Sequence, residues 1–457
     1  MTGAEVTPQP TSDPAAPSDT QREGTGVERV RGQMSRRRQL SATASLGAAA
    51  ALAACGTQTA APAPADTGTG PLTWMLNGSA ERMAAYQRIA DSYMAQNPGK
   101  KVEVVPADDP IAKVTTLVVA GSPPDVSTVT PVWVGGLAEK GIYQSLDPFL
   151  SGDRTFRLDD YHPSTIEGGR WKKQVYFLPL FLNLHLLAYN AALFRQRNVP
   201  LPTDQWTFDK LRDTAVQLTE RSGDQTSVFG FDHGTDLNNL LPWIWANGGE
   251  VFDRNEAPTK STMATPKVIE ALQQLVDLRL KQRAIPTTAD RAGRTLNFQT
   301  GGFAMQQQSA SGLNGLVTQA KFEWDLQLLP KGSAPRAAIG GVIQMGIPKG
   351  TKLPQSAWQF MKYMIGPAGT QEMLRANQGM TPHKPSFQEF IKLGPPPKNR
   401  QAVLDAMTTV RPLPKAAPLE SKYAEYTKLF GELFDGKKSV PDTCAEIDRM
   451  MNAAIAG

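Results

Sequence analysis

The feature that most restricts this chain is the run PLFLNLHLLAY at positions 179–189, in which only Asn183 and His185 are polar. With no helix cap in front of it, the run reads as a buried strand. Such a strand needs structure packed on both of its faces. An amide inside it must find hydrogen-bond partners, because a buried polar group without them is costly. The residues after the run carry helix signals. Tyr189-Asn190 opens a short helix, residues 195–198 end it, and Pro200 and Pro202 prevent its continuation. Thr207 then caps a second helix with Phe208, Leu211, Ala215 and Leu218 on one face.

The same alternation fills the flanking sequence. Strands are expected at 72–76, 102–105 and 126–129, separated by helices at 79–96 and 111–120. Strand-helix-strand order implies a parallel sheet. Further strands are expected at 228–231 and 324–329, and a helix at 265–283. A second long apolar segment, 338–347, carries Gly340-Gly341, where glycine permits bending and a close ligand approach. Helices at 356–365 and 370–376 complete the readable part. A chain of 457 residues holds two or three such domains. Its formal charge of +5 is spread along the sequence, which does not indicate a nucleic-acid partner.

The N-terminus reads as an address. Residues 1–33 are polar and rich in Pro, Ser and Thr, a composition that stays disordered. Arg36-Arg37-Arg38, a small-residue apolar run at 41–51 and Leu52-Ala53-Ala54-Cys55 form a charged region, an apolar region and a processing site. Arg36 and Arg37 suggest the Tat route, and Met34 directly before the signal is an alternative start. Leu-Ala-Ala-Cys looks like a lipobox, with Cys55 lipidated. The other cysteine, Cys444, then has no disulfide partner. Residues 56–70, rich in Ala, Pro, Thr and Gly, would be a flexible tether reaching roughly 45 Å.

No catalytic pattern stands out. The four histidines lack metal spacing, and there is no nucleophile elbow or Walker loop. Asp108-Asp109 before Pro110 reads as a solvated turn, and no motif selects a pair of carboxylates for acid-base work. Binding chemistry is better represented. Sugar sites combine polar side chains with aromatic faces, and several of the eight tryptophans stand at loop-to-element junctions: Trp74, Trp133, Trp243 and Trp245.

Several stretches together resemble one family. They are the strand, Tyr-Asn, short helix and Pro-rich loop of 179–202, Trp74-Met75-Leu76-Asn77-Gly78, the Ala-Gly-Ser-Pro-Pro-Asp loop at 120–125, Leu137-Ala138-Glu139-Lys140-Gly141, the segment LLPWIWANGG at 240–249 and Gly379-Met380-Thr381-Pro382. In that order they are similar to the sugar-binding extracytoplasmic solute-binding proteins of ABC importers, the class that includes maltose-binding protein. The resemblance covers 72–385 well and the last 70 residues loosely, and it implies a strand at 297–305 before the cleft wall. It implies an α/β, type II periplasmic-binding-protein fold, two α/β lobes joined by crossing segments with a ligand cleft between them. The divisions would be a leader and Tat-type lipoprotein signal at 1–54, lipidated Cys and tether at 55–70, lobe 1 at 71–184 with 341–390, and lobe 2 at 187–339 with 395–457.

Carried over residue by residue, the resemblance implicates Ser79, Thr130, Trp133, Asn183, Asp236, Asn238, Trp243 and Gly341 in ligand binding. It implies no enzyme activity, cofactor or metal. It also implies a monomer outside the cytoplasm, tethered by lipid to the membrane, that hands a sugar or related polyol to an ABC permease after hinge closure. The same fold binding glycerol-phosphate, a polyamine or a peptide is an alternative, and a lipid-anchored surface hydrolase is another. One departure stands out: relatives carry Gly-x-Trp soon after the position of Met305, where this chain has Ser309-Ala310-Ser311.

Overall fold

The computed structural model describes residues 62–457 apart from Ser79, Asp224, residues 376–379 and Pro395. The expectations for Arg36, Arg37, Cys55 and Ser79 lie outside the described residues. Two sheets organise the chain. β1 (Leu72–Leu76), β2 (Val102–Pro106) and β3 (Val126–Val129) alternate with the helices Ala80–Gln96 and Pro110–Val119. β1 runs parallel to both neighbours, with Trp74 in register with Val104 on one side and Val126 on the other. A small hairpin of β4 (Arg170–Trp171) and β5 (Gln174–Val175) comes next.

The apolar run at 179–189 then forms two strands where the sequence suggests one. β6 (Phe177–Asn183) ends, Leu184 makes the change, and β7 (His185–Asn190) begins in a different sheet. β8 (Glu220–Ser222) and β9 (Gln225–Val228) make a second hairpin, and β10 (Met305–Ser309), β11 (Trp324–Gln327), β12 (Ala338–Gly346) and β13 (Val410–Pro412) complete the strands. The first sheet has the order β13-β12-β3-β1-β2, with β6 also paired to β12; the second has β10-β7-β11. β7 is buried along its whole length because antiparallel neighbours and packed layers enclose it.

Two further expectations are corrected. The strand foreseen at 228–231 ends at Val228, and Phe229 makes only an isolated bridge to Phe303. The strand foreseen at 297–305 starts at Met305. Asn297 turns the chain instead, accepting the Thr300 N–H through Oδ1 at 2.8 Å, and Gly301 takes φ +81°. An Asn side chain that satisfies the backbone locally competes with strand pairing.

Each sheet carries its own core. On the first, Trp74 packs against Tyr86 and Phe360 at ring-centroid distances of 5.2 and 5.3 Å. On the second, Leu211, Ala215, Leu240, Ile244 and Leu272 are fully or almost fully buried around β7. Thr207 and Asn190 cap their helices as the sequence suggests, accepting from Lys210 N and Leu193 N. The long crossing strands pair with one another. Asn183 of β6 is the register partner of Gly341 of β12, and β13 runs parallel to β12 over Ala338–Gly340.

The segment foreseen as a free tether is partly held. Thr67 and Gly68 donate their N–H groups to Lys352 O at 2.8 and 3.0 Å. The Asp66 carboxylate accepts from Gln355 N at 2.8 Å and Ser356 Oγ at 2.7 Å, in the first turn of the helix Pro354–Ile365. A carboxylate suits that helix end.

Candidate ligand cleft

Three parallel strands of the first sheet deliver their carboxyl ends to one cavity of about 510 Å³. β1 is followed by Asn77, β2 by Asp108 and Asp109, and β3 by the turn Thr130-Pro131-Val132-Trp133. In open α/β sheets this is the edge where ligands bind, because the loops that leave the strands converge there. Phe181 of β6 and Ile343 of β12 contribute from the crossing strands. The opposite wall comes from the other lobe: Asn238 near the start of the helix Leu237–Ala246, Leu413 just after β13, and Tyr423 at the head of the helix Tyr423–Phe434. A volume of this size suits a small ligand.

The lining is built locally. Asp109 caps the helix Pro110–Val119, accepting Ala112 N–H at 3.0 Å, which leaves exposed Asp108 at the rim. Pro131 fixes the turn after β3, and Trp133 N–H donates to Thr130 O at 3.1 Å, so the half-buried Trp133 ring is carried on a short rigid turn. Tyr423 is 48% exposed, an aromatic face offered to the cavity from the second lobe. No Lys or Arg is among the residues that line it.

A buried polar network fixes the second-lobe wall. Gln307 of β10 accepts the Trp243 indole N–H at 2.6 Å and donates through Nε2 to Asn239 O and His185 Nδ1, each at 2.9 Å. With the Gln307 amide in this orientation, His185 Nδ1 is an acceptor and its proton resides on Nε2. Burial pushes the His185 pKa down to about 4, the Asp236 charge opposing it weakly, so the ring is neutral near pH 7. Asp236 caps the same helix, accepting from Asn239 N at 3.3 Å and from Asn239 Nδ2.

The structure thus brings Thr130, Trp133 and Asn238 together around the cavity. Asn183 and Gly341 are placed by their backbones at the crossing, two residues from the lining Phe181 and Ile343 respectively. Asp236 is engaged as a helix cap. Trp243 sits in the second-lobe core, 7% exposed, edge-on to Phe208 and Phe231. Sequence reasoning missed Asn77, Tyr86, Asp108, Leu413 and Tyr423 as lining residues. Asp108 had a signal, its position directly after a parallel strand; Tyr423, in the tail, had none.

A family model described as bacterial extracellular solute-binding protein matches residues 77–371, well over half of the chain. The chain belongs to that family. It is a family of solute-binding proteins and not of enzymes. Among the described residues no group of three or more His, Cys, Asp or Glu could hold a metal ion, and no helix is long and apolar enough to cross a membrane.

Solved structures agree on the fold. An ABC substrate-binding protein of Listeria monocytogenes in complex with cycloalternan superposes with a TM-score of 0.77 at 21% identity, covering 84% of this chain and 99% of that one. The sugar-binding protein MalE of Xanthomonas citri gives a TM-score of 0.72 at 16% identity, covering 85% and 98%. In sequence, the maltotriose-binding protein of Pyrococcus abyssi (strain GE5 / Orsay) is 22% identical over 70% of this chain and 67% of its own length. The type II binding-protein fold, two α/β lobes with a cleft between them, is therefore the architecture of this solute-binding protein.

Proposed function

We propose that this solute-binding protein captures a sugar or related polyol in the cleft and delivers it to an ABC import permease. The observation that carries the reading is the pairing of Trp133 and Tyr423, from opposite lobes, with Asn77, Asp108, Thr130 and Asn238 around one cavity. Two aromatic faces with amide, hydroxyl and carboxylate groups between them match the weakly polar faces and equatorial hydroxyls of a sugar ring. The sugar-binding relatives named above support the class. A phosphate ester would call for Arg or Lys, and the lining residues include neither.

In this reading the lobes divide at the crossing strands, 71–184 with 341–390 and 187–339 with 395–457. The backbone about Asn183 and Gly341 is the hinge, and ligand bridging both walls stabilises the closed state. The protein works as a monomer held to the outer face of the membrane by lipid on Cys55. Asp66–Gly68 are bound to the first lobe and Ala63 packs on its core, so the part of the tether from Ala63 onward is held.

A thermal-shift panel of mono- and oligosaccharides, polyols and polyamines tests the reading. A ligand at 100 times its dissociation constant should stabilise the protein by roughly 2.7 kcal/mol. Stabilisation by a polyamine and by no sugar or polyol would overturn the sugar reading, and Asp108 and Asp109 would be the groups responsible.

A further inference from the structure

Beside the cleft the lobes touch at several points: Lys415 Nζ donates to Glu167 O and Arg170 O at 2.6 and 2.7 Å, Glu256 accepts the Lys172 N–H at 2.9 Å, and the Glu420 carboxyl group lies against Gly136. Glu420 lies on the short helix Ala417–Ser421, whose Leu419 is buried in the second-lobe core; Tyr426 Oη donates to Leu419 O at 3.2 Å. Across from it stands the first-lobe helix Val134–Glu139, anchored by buried Val134 and Leu137 against Met75, Val129 and Phe177. The half-buried Glu420 carboxyl group lies against the Gly136 backbone. The approach is close enough that a Cβ at position 136 would lie 2.5 Å from Glu420 Oε2 and 2.9 Å from Oε1. Only glycine leaves room for this contact. Gly136 stands three residues after the cleft turn Thr130–Trp133, and Glu420 precedes the cleft residue Tyr423 by three. The contact therefore joins the two segments that line opposite walls.

We propose that Glu420 is a proton-linked closure latch: its carboxyl group meets Gly136 when the cleft shuts and takes up a proton as it does so. The inference rests on the hinge-closure reading above. Burial at the contact pushes the Glu420 pKa up to about 7. Two charged groups act on it directly. From the first lobe, Lys140 pulls the value down and Glu139 pushes it up; Glu139 is itself paired with Lys172 at 2.7 Å. On its own side, Lys422 is paired with Glu425 at 2.9 Å. No cation neutralises Glu420 at hydrogen-bond distance, so the carboxyl group enters the contact most readily in its protonated form.

The sign comes from linkage. With the lobes apart, water returns Glu420 to the ordinary range near 4.5. The closed state then binds more protons than the open one, and acid favours closure. Between pH 7.5 and pH 6 the closed-to-open ratio should rise roughly eightfold. His185 and His233, with pKa values lowered to about 4 in the second-lobe core, do not titrate in the folded protein in that window.

Small-angle scattering of the full-length protein without ligand, from pH 5.5 to 8.5, tests the latch, with wild type, Glu420→Gln and Gly136→Ala compared. Wild type should compact on acidification. Glu420→Gln, a neutral isostere, should be compact and independent of pH. Gly136→Ala should stay expanded throughout, its melting temperature showing that it is folded. A wild-type radius of gyration that does not change with pH overturns the latch. So does a Glu420→Gln profile that coincides with wild type. The measurement needs no ligand, so failure of the sugar panel with pH-dependent compaction intact would refute the sugar reading and leave the latch standing.

Discussion

Replacing Gln307 by Leu should destabilise the second lobe more than any single change at the rim of the cleft. Gln307 satisfies three groups at once: the Trp243 indole N–H, Asn239 O and His185 Nδ1. Trp243 and His185 are 7% and 5% exposed, so solvent cannot take over. Each buried group left unpaired costs about 1–3 kcal/mol. The three share one partner and do not add independently, so a total of about 3–4 kcal/mol is expected. For a lobe of about 200 residues that unfolds as a unit, that is a fall in melting temperature of about 6–12 °C. Gln307→Glu keeps the acceptor for Trp243 and loses both amide donors, and should fall between wild type and Gln307→Leu. Circular dichroism melts at pH 7.5, with reversibility checked on cooling, measure both. Ligand affinity should drop only a few-fold, through loosening of the helix that carries Asn238. A melting temperature within 1 °C of wild type, with affinity lost, would refute the reasoning: Gln307 would then be a ligand group and the network incidental.

Other outcomes rest on the same geometry. Trp133→Ala should weaken the ligand found in the panel by 10- to 100-fold in calorimetry, about 1.4–2.8 kcal/mol, with little change in melting temperature because the ring is only half-buried. Asp236→Ala removes a helix cap worth about 1 kcal/mol; it should lower the melting temperature by a few degrees and leave affinity within about threefold, whereas a large affinity loss at unchanged stability would make Asp236 a ligand contact. His185 and His233 have folded pKa values near 4 against the ordinary 6.5. The unfolded state therefore binds more protons, and the stability they confer is complete above pH 6.5 and lost as pH falls toward 4, about 2 kcal/mol for each at pH 5. This is best measured in Glu420→Gln, where the opposite contribution of Glu420 is removed. Cys55→Ala should release the protein from the membrane fraction; continued covalent lipid attachment would refute the lipobox reading.

Local signals in the sequence translated well into structure where the cause is local. The Asn190 and Thr207 caps, β1 and β3 arise from side-chain chemistry within a few residues, and the structure places them as expected. The division of 179–189 into β6 and β7 is different. Nothing in the run marks Leu184 as the point of change, because the change is made by partners far along the chain: β12 takes the residues up to Asn183, and β10 and β11 take those from His185 onward. A continuous apolar run reports burial, and burial is the same in either sheet. The strand expected at 297–305 had its counter-signal in plain view. Asn297 and Gly301 are turn residues, and that local chemistry prevailed over the strand that the resemblance implied.

The candidate site was harder to read because the residue types that bind ligands also build helices and cores. Asp236 and Asn238 are two residues apart, yet the first occupies the cap position and gives its oxygens to Asn239, while the second is exposed on the cleft wall. A side chain at a cap position is the one its own helix already uses. Trp243 belongs to a helix whose residues 240–246 are all buried, so its indole faces β10 and not solvent. The departure at Ser309-Ala310-Ser311 has a physical reading as well. Ala310 is 2% exposed and its N–H donates to Leu184 O at 2.8 Å, which ties that segment to the crossing point. Of the aromatic residues that line the cavity, Tyr86, Trp133, Phe181 and Tyr423, the two that are not buried, Trp133 and Tyr423, stand on the two segments that Gly136 and Glu420 draw together. In this protein the groups that would hold the ligand and the contact that would close the cleft lie on the same pair of segments, so a change at either should be felt at the other.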